Sequence, residues 1–142
     1  MRKSNSSRLI IDSNIWVSFL ISDRERKLDL LLTTKSIKIL FSIELIEELS
    51  KISNYPKLKK YFPPDSIEEM LTNLDSFIEL VEVKCKVNIC RDPKDNFLLS
   101  LAKDGHANYL ITGDKDLLEL KKLGKTEIIT LTKYFEQTKL YR

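Results

Sequence analysis

The sequence predicts an α/β fold, a central parallel sheet of four or five strands with helices covering both faces. Three observations carry this. Short apolar runs alternate along the chain with longer segments of helical periodicity. Capping and breaking residues separate them, so the elements are short and many. Strands that alternate with helices return in parallel through right-handed crossovers, which place helices on the sheet faces. The chain has 142 residues, of which 42% are hydrophobic and 32% charged, enough for one packed domain.

Residues 1–7 read as a loose tail, and one domain is expected over 8–142. Arg8-Leu9-Ile10-Ile11 reads as a buried strand and Trp16–Leu20 as part of a helix. A charged helix over 24–33 and a strand at Ile37–Phe41 follow. Ser42 suits the N-cap of a helix through Ile52, which Asn54-Tyr55-Pro56 breaks. Ser66 and Glu69 have capping-box spacing for a helix to about Ile78. Short strands are expected at Leu80–Val83 and Val87–Cys90. Asp92-Pro93 opens a helix to about Asp104, with proline at its first position. Asn108–Ile111 reads as a strand, Asp114–Lys122 as a helix, Glu127–Thr130 as a strand and Thr132–Gln137 as a last helix.

Composition excludes several kinds of chemistry. His106 is the only histidine, so no histidine-based triad exists. Cys85 and Cys90 form no zinc set and read as reduced thiols. Three glycines, Gly105, Gly113 and Gly124, build no phosphate-cradling loop. The longest apolar run, Leu9–Ile21, contains Asp12 and is too short to span a bilayer, and no cleavage site follows it. The protein is read as cytoplasmic.

Carboxylates remain. Asp12 directly follows one strand, and Asp114 follows another after Thr112-Gly113. In open parallel sheets the carboxyl ends of the strands form the ligand crevice, so both acids should enter one cleft. Alone, each also suits a helix cap. Asp95 falls in the first turn of the helix opened by Asp92-Pro93, where a negative charge also meets the helix dipole. In the helix after Ser42, Leu45, Ile46, Leu49 and Ile52 define an apolar stripe. Glu48 lies on its border, whereas Glu44 and Glu47 face solvent. Four acids converging in one cleft suit hard cations such as Mg²⁺ or Mn²⁺, which prefer oxygen ligands.

The segments Leu9-Ile-Ile-Asp-Ser-Asn14, Glu44-Leu-Ile-Glu-Glu-Leu49 with Pro56-Lys57-Leu58, Arg91-Asp-Pro-Lys-Asp-Asn96, and Leu110-Ile-Thr-Gly-Asp-Lys-Asp-Leu117 carry a resemblance. In this order they resemble PIN-domain ribonucleases, most closely the toxin components of prokaryotic toxin–antitoxin pairs. The resemblance implies a three-layer α/β/α sandwich and a Mg²⁺- or Mn²⁺-dependent endoribonuclease leaving 5′-phosphate and 3′-hydroxyl ends. It places catalytic, metal-binding acids at Asp12, Glu48, Asp95 and Asp114, with Asp116 in reserve. Asp12 and Asp114 are the expected main ligands, and Asn14 and Thr112 the donors that hold the carboxylates. It also implies RNA as substrate, an antitoxin protein as partner and a homodimer. Ser13 stands where threonine is frequent and keeps the hydroxyl. Asn54-Tyr55 stand where an arginine often precedes the Pro-Lys-Leu stretch, a departure that concerns grip on substrate.

Lysine and arginine exceed aspartate and glutamate by three overall. Setting aside four site acids leaves 17 acids against 24 bases, a surface suited to a polyanion. Lys57, Lys59, Lys60 and Tyr61 are candidate backbone-gripping residues on such a surface. Two alternatives compete with the nuclease. One is a non-catalytic PIN-fold module that binds RNA or protein. The other is a phospho-receiver domain, which needs an acceptor aspartate after a central strand where this chain has Ser42-Ile43.

Overall fold

The structure is a computed structural model and describes residues 7–21, 25–33 and 36–138. Six strands form one sheet: β1 (Ser7–Ile11), β2 (Ile37–Phe41), β3 (Ile78–Leu80), β4 (Tyr109–Ile111), β5 (Lys122–Leu123) and β6 (Thr126–Ile129). Their order is β3-β2-β1-β4-β6-β5. The first five in that order run parallel, and β5 pairs antiparallel with β6. The expected parallel sheet is present, and its count rises by an edge hairpin. That hairpin is a local product of Gly124, whose φ of 58° lets the chain reverse between Leu123 and Thr126.

Among the described residues seven α-helices accompany the strands: α1 (Ser13–Ile21), α2 (Glu25–Leu32), α3 (Ile43–Ser53), α4 (Ser66–Asn73), α5 (Pro93–Gly105), α6 (Lys115–Leu120) and, after the last strand, α7 (Leu131–Thr138). The crossovers from β1 to β2 and from β2 to β3 move one way across the sheet. Those from β3 to β4 and from β4 to β6 move the other way. Right-handed connection therefore puts α1–α4 on one face and α5 and α6 on the opposite face. Covered on both sides, the central strands carry consecutive buried apolar residues toward their carboxyl ends rather than an alternation. Leu9, Ile10 and Ile11 are all fully buried, as are Leu110 and Ile111. Trp16 of α1 closes the core over β2, stacking on Phe41 at 5.5 Å and meeting Phe19 edge-on at 5.9 Å. No helix of the described residues is long and apolar enough to cross a membrane.

Several local expectations change. Of the expected tail, Ser7 already belongs to β1, and residues 1–6 lie outside the described residues. Helix α4 ends at Asn73, not near Ile78, and its N-cap is Asp65 at φ 67° with no side-chain cap bond, so the Ser66–Glu69 box is not formed. The third strand starts at Ile78 rather than Leu80, and α6 ends at Leu120 rather than Lys122.

The expected strand at Val87–Cys90 is an extended segment with no strand partner. Residues spaced by four on α5 hold it instead. The Asp104 carboxylate accepts from the Lys84 and Cys85 N–H groups, the latter at 2.9 Å. Ser100 Oγ accepts from Val87 N–H at 2.9 Å. Asn96 Oδ1 accepts from Ile89 and Cys90 N–H at 2.9 and 2.7 Å. Both cysteines are free, and burial pushes each thiol above its ordinary value.

At the amino edge of the sheet Arg8 ties three elements. Its guanidinium meets Glu79 of β3 through two 2.8 Å bonds, and its Nε donates to the Gly105 carbonyl of α5 at 2.8 Å. A lysine cannot reproduce that fork. Arg8→Met should lower unfolding stability by about 1–2 kcal/mol, the scale of charge-assisted bonds with partial solvent exposure, and Arg8→Lys should recover less than half of it. Urea unfolding monitored through Trp16 fluorescence measures both.

Candidate active site

Every candidate acid sits at or just beyond the carboxyl edge of the sheet, the end toward which β1, β2 and β4 all run. Asp12 ends β1. Its N–H donates to the Ile111 carbonyl of β4 at 2.9 Å, so it is the last residue held in the β1–β4 pairing. Its side chain is 4% exposed. Such a carboxylate needs partners. Thr112 Oγ1 donates to Asp12 Oδ2 at 2.7 Å, and Ser13 Oγ lies 3.4 Å from Oδ1. The Thr112 hydroxyl also accepts from the Asp114 N–H at 3.0 Å. One hydroxyl therefore fixes both strand ends.

Asp114 caps α6, with Oδ1 accepting from the Asp116 and Leu117 N–H groups at 2.8 and 3.4 Å. Asp92 caps α5, accepting from Lys94 N–H at 2.9 Å, with Pro93 in the first turn. That cap places Asp95 one turn into the sheet's carboxyl edge, where it is 3% exposed. Its Oδ2 is buried without a hydrogen-bond partner. One carboxylate oxygen from each of Asp95, Asp114 and Asp116 lies within 4.8 Å of the other two. The Asp95 carboxyl is pushed up to about 6, first by burial, then by the charges of Asp114 and Asp92, with contact to the Asp114 carboxyl and the charge of Asp12 adding to it. The same field reaches the Cys90 thiol, raised by burial and then by Asp95, Asp116 and Asp114.

Glu48 approaches from α3. Ser42 caps that helix by accepting from Leu45 N–H at 3.1 Å, which sets its phase. Glu48 is partly buried, while Glu44 and Glu47 are exposed. Glu48 Oε2 lies 3.4 Å from the Ser13 hydroxyl and 2.9 Å from Lys94 Nζ. Burial opposes the charge of Lys94, but Glu48, Asp12 and Asp92 hold its pKa above the ordinary value.

The structure thus groups the acids differently from the sequence expectation. Asp116, held in reserve, stands in the tight trio with Asp95 and Asp114. Asp12 and Glu48 stand beside it, joined through Ser13. Thr112 holds Asp12 and the Asp114 loop. Asn14 is exposed and, among the described residues, bonds to none of the carboxylates. Lys59–Tyr61 form a 3₁₀ turn after α3, beside Ser50 and Ser53 at its C-terminal end. At 1.5 Å rise per residue, the eleven residues of α3 set that turn roughly 15 Å from its start at the carboxyl edge. Sequence reasoning assigned no contact to Lys94. Its signal was a basic residue in a first turn, where the helix dipole disfavours one.

Comparison with known proteins bears on the family of the chain. The PIN domain family matches residues 8–116, a span that contains Asp12, Glu48, Asp95, Asp114 and Asp116. An uncharacterised protein of Methanocaldococcus jannaschii is 31% identical over 122 residues, which cover 83% of this chain and 77% of that one. The chain belongs to the PIN domain family. This is a nuclease fold, commonly of ribonucleases, and its members typically use a divalent metal.

The residues present fit such an ion. Three carboxylates converge, one carries a buried oxygen with no partner, and among the described residues the group holds oxygen donors alone, which suit a hard cation.

The raised Asp95 pKa has a stability consequence in the metal-free protein. Above about pH 6 the group is ionised folded and unfolded, and the folded state carries the burial and repulsion cost. As pH falls from 6 toward 4 the folded state takes up the proton first, and this cost disappears. Asp95→Asn in EDTA should therefore be more stable than wild type by about 1–3 kcal/mol at pH 7, with the gap closing near pH 4. Paired thermal melts across that range decide it.

Proposed function

We propose that this protein is a Mg²⁺- or Mn²⁺-dependent endoribonuclease. The observation that carries the reading is the trio of Asp95, Asp114 and Asp116 around the unpartnered, buried Asp95 Oδ2. These three would hold the ion, with Asp12 and Glu48 completing the negative wall. When bound, a divalent cation supplies positive charge to a phosphodiester and lowers the pKa of an attacking water.

The chain's own residues do the remainder. Asp114 caps α6 through Oδ1, which leaves its other oxygen for a ligand. The Thr112 hydroxyl fixes Asp12 in orientation by donating to Oδ2, so the rest of that carboxylate faces the cleft as an acceptor. The Ser13 hydroxyl lies 3.4 Å from both Asp12 Oδ1 and Glu48 Oε2, and its single proton can be given to either carboxylate in turn. The Asp95 carboxyl, pushed up to about 6 by burial and its acidic neighbours, is returned to its ionised form by cation binding. Net basicity outside the acids favours a polyanionic substrate.

The resemblance in the four sequence segments extends the proposal to a type II toxin. Its products would carry 5′-phosphate and 3′-hydroxyl ends, and it would act in the cytoplasm as a homodimer controlled by an antitoxin protein. Growth and RNA integrity on expression of wild type beside Asp12→Asn test that extension.

With purified protein and RNA, cleavage should appear with Mn²⁺ and vanish in excess EDTA. Asp95→Asn and Asp114→Asn should abolish it. Thr112→Val, which removes the donor to Asp12, should lower it about 10–100-fold, the usual scale for a group that orients a ligand. Glu48→Gln should lose activity and the solvent-facing Glu47→Gln should keep it. RNA binding with no cleavage under any cation would favour the non-catalytic module.

A further inference from the structure

Lys94 is placed against two local rules. It lies in the first turn of α5, where the helix dipole opposes a cation, and partial burial also disfavours its charge. A residue kept there against local preference needs a tertiary reason. That reason is Glu48, whose Oε2 lies 2.9 Å from Lys94 Nζ. The two come from helices on opposite faces of the sheet and meet over its carboxyl edge.

The acid cluster therefore has two halves. Asp95, Asp114 and Asp116 converge within 4.8 Å, and Asp95 Oδ2 has no partner. Glu48 and Asp12 are already compensated, Glu48 by an ammonium group and Asp12 by hydroxyl donors. An ammonium is a compact point charge that neutralises a carboxylate, and unlike a metal ion it presents no empty coordination position.

We propose that Lys94 is a cation built into the acid cluster, standing at Glu48 in place of a second divalent ion and limiting the centre to one. This rests on the reading of the trio as a divalent-cation site. It assigns Lys94 as a positioning residue: it fixes Glu48 and leaves the single ion to Asp95, Asp114 and Asp116.

The test is the Mn²⁺ stoichiometry of the full chain at constant ionic strength, from the electron paramagnetic resonance signal of free Mn²⁺ and from calorimetry. Wild type and Lys94→Arg should bind one Mn²⁺ per chain. Lys94→Gln frees Glu48 and should bind a second, weaker Mn²⁺. The double variant Lys94→Gln/Glu48→Gln should return to one. Far-UV circular dichroism checks that each variant is folded, and Lys94→Arg keeps the wild-type charge if the neutral variant is not. Two Mn²⁺ on wild type, or one on folded Lys94→Gln, overturns the role of Lys94 while leaving the trio as a cation site. No Mn²⁺ on wild type overturns the cation site itself, and this inference with it.

Discussion

The hydroxyl of Thr112 is the contact on which the arrangement of the site depends. It donates to Asp12 at the end of β1 and accepts from the backbone of Asp114 beyond the end of β4. These strands are neighbours in the sheet although about a hundred residues separate them in sequence. Their pairing brings two acids together, and like charges at short range in a shielded setting repel by several kcal/mol before screening and proton uptake reduce it. A neutral donor–acceptor group between them satisfies one carboxylate and fixes the other's loop without adding charge. Valine would have similar shape and neither bond.

The other elements can be understood as holding acids at that edge against their repulsion. Central strands that are apolar on both faces make the sheet a rigid floor, with Leu9, Ile10, Ile11, Leu110 and Ile111 buried beneath the site. Helix α5 is anchored along its length. Asn96, Ser100 and Asp104 tie it to the extended segment before it, and Arg8 reaches its last turn through the Gly105 carbonyl. Asp95 sits beside Asn96, so the first of those ties adjoins the most strained carboxylate of the cluster. An acid held near pH 6 by burial and neighbours requires a helix that does not yield, because a small rotation would carry it into water and relieve the cost.

What was legible in the sequence follows the range of the forces involved. Strands β1, β2 and β4 were readable because burial on both faces gives each a run of consecutive apolar residues, a property of the residues themselves. The caps Ser42, Asp92 and Asp114 were readable because a cap acts within three residues. The strand expected at Val87–Cys90 was misread because its partners are side chains on α5 that only the tertiary structure supplies. Ser66–Glu69 has capping-box spacing, yet Asp65 adopts φ 67° and takes the cap position. Within the site, helix phase separated Glu48 from Glu47. It could not show that Asp116 joins Asp95 and Asp114, because that depends on how tightly the α6 turn folds back. Nor could it show Lys94 against Glu48, since that pair bridges two helical layers.

At single residues the sequence left cap and ligand as competing explanations, and at Asp114 the geometry is compatible with both. A carboxylate has two oxygens with about four acceptor positions. Asp114 spends Oδ1 on the N–H groups of Asp116 and Leu117, and its carboxylate still stands within the trio. The cap is what aims the group: it fixes the side chain at the start of α6 and brings Asp116, two residues on, to the same side. Asp12 divides its oxygens in the same way between Thr112 and Ser13. At Asp114 aspartate serves where glutamate would not, because the shorter side chain caps the turn that follows it while standing in the trio. The one longer acid, Glu48, comes from the middle of a helix, where no cap is needed and reach decides whether the carboxylate arrives.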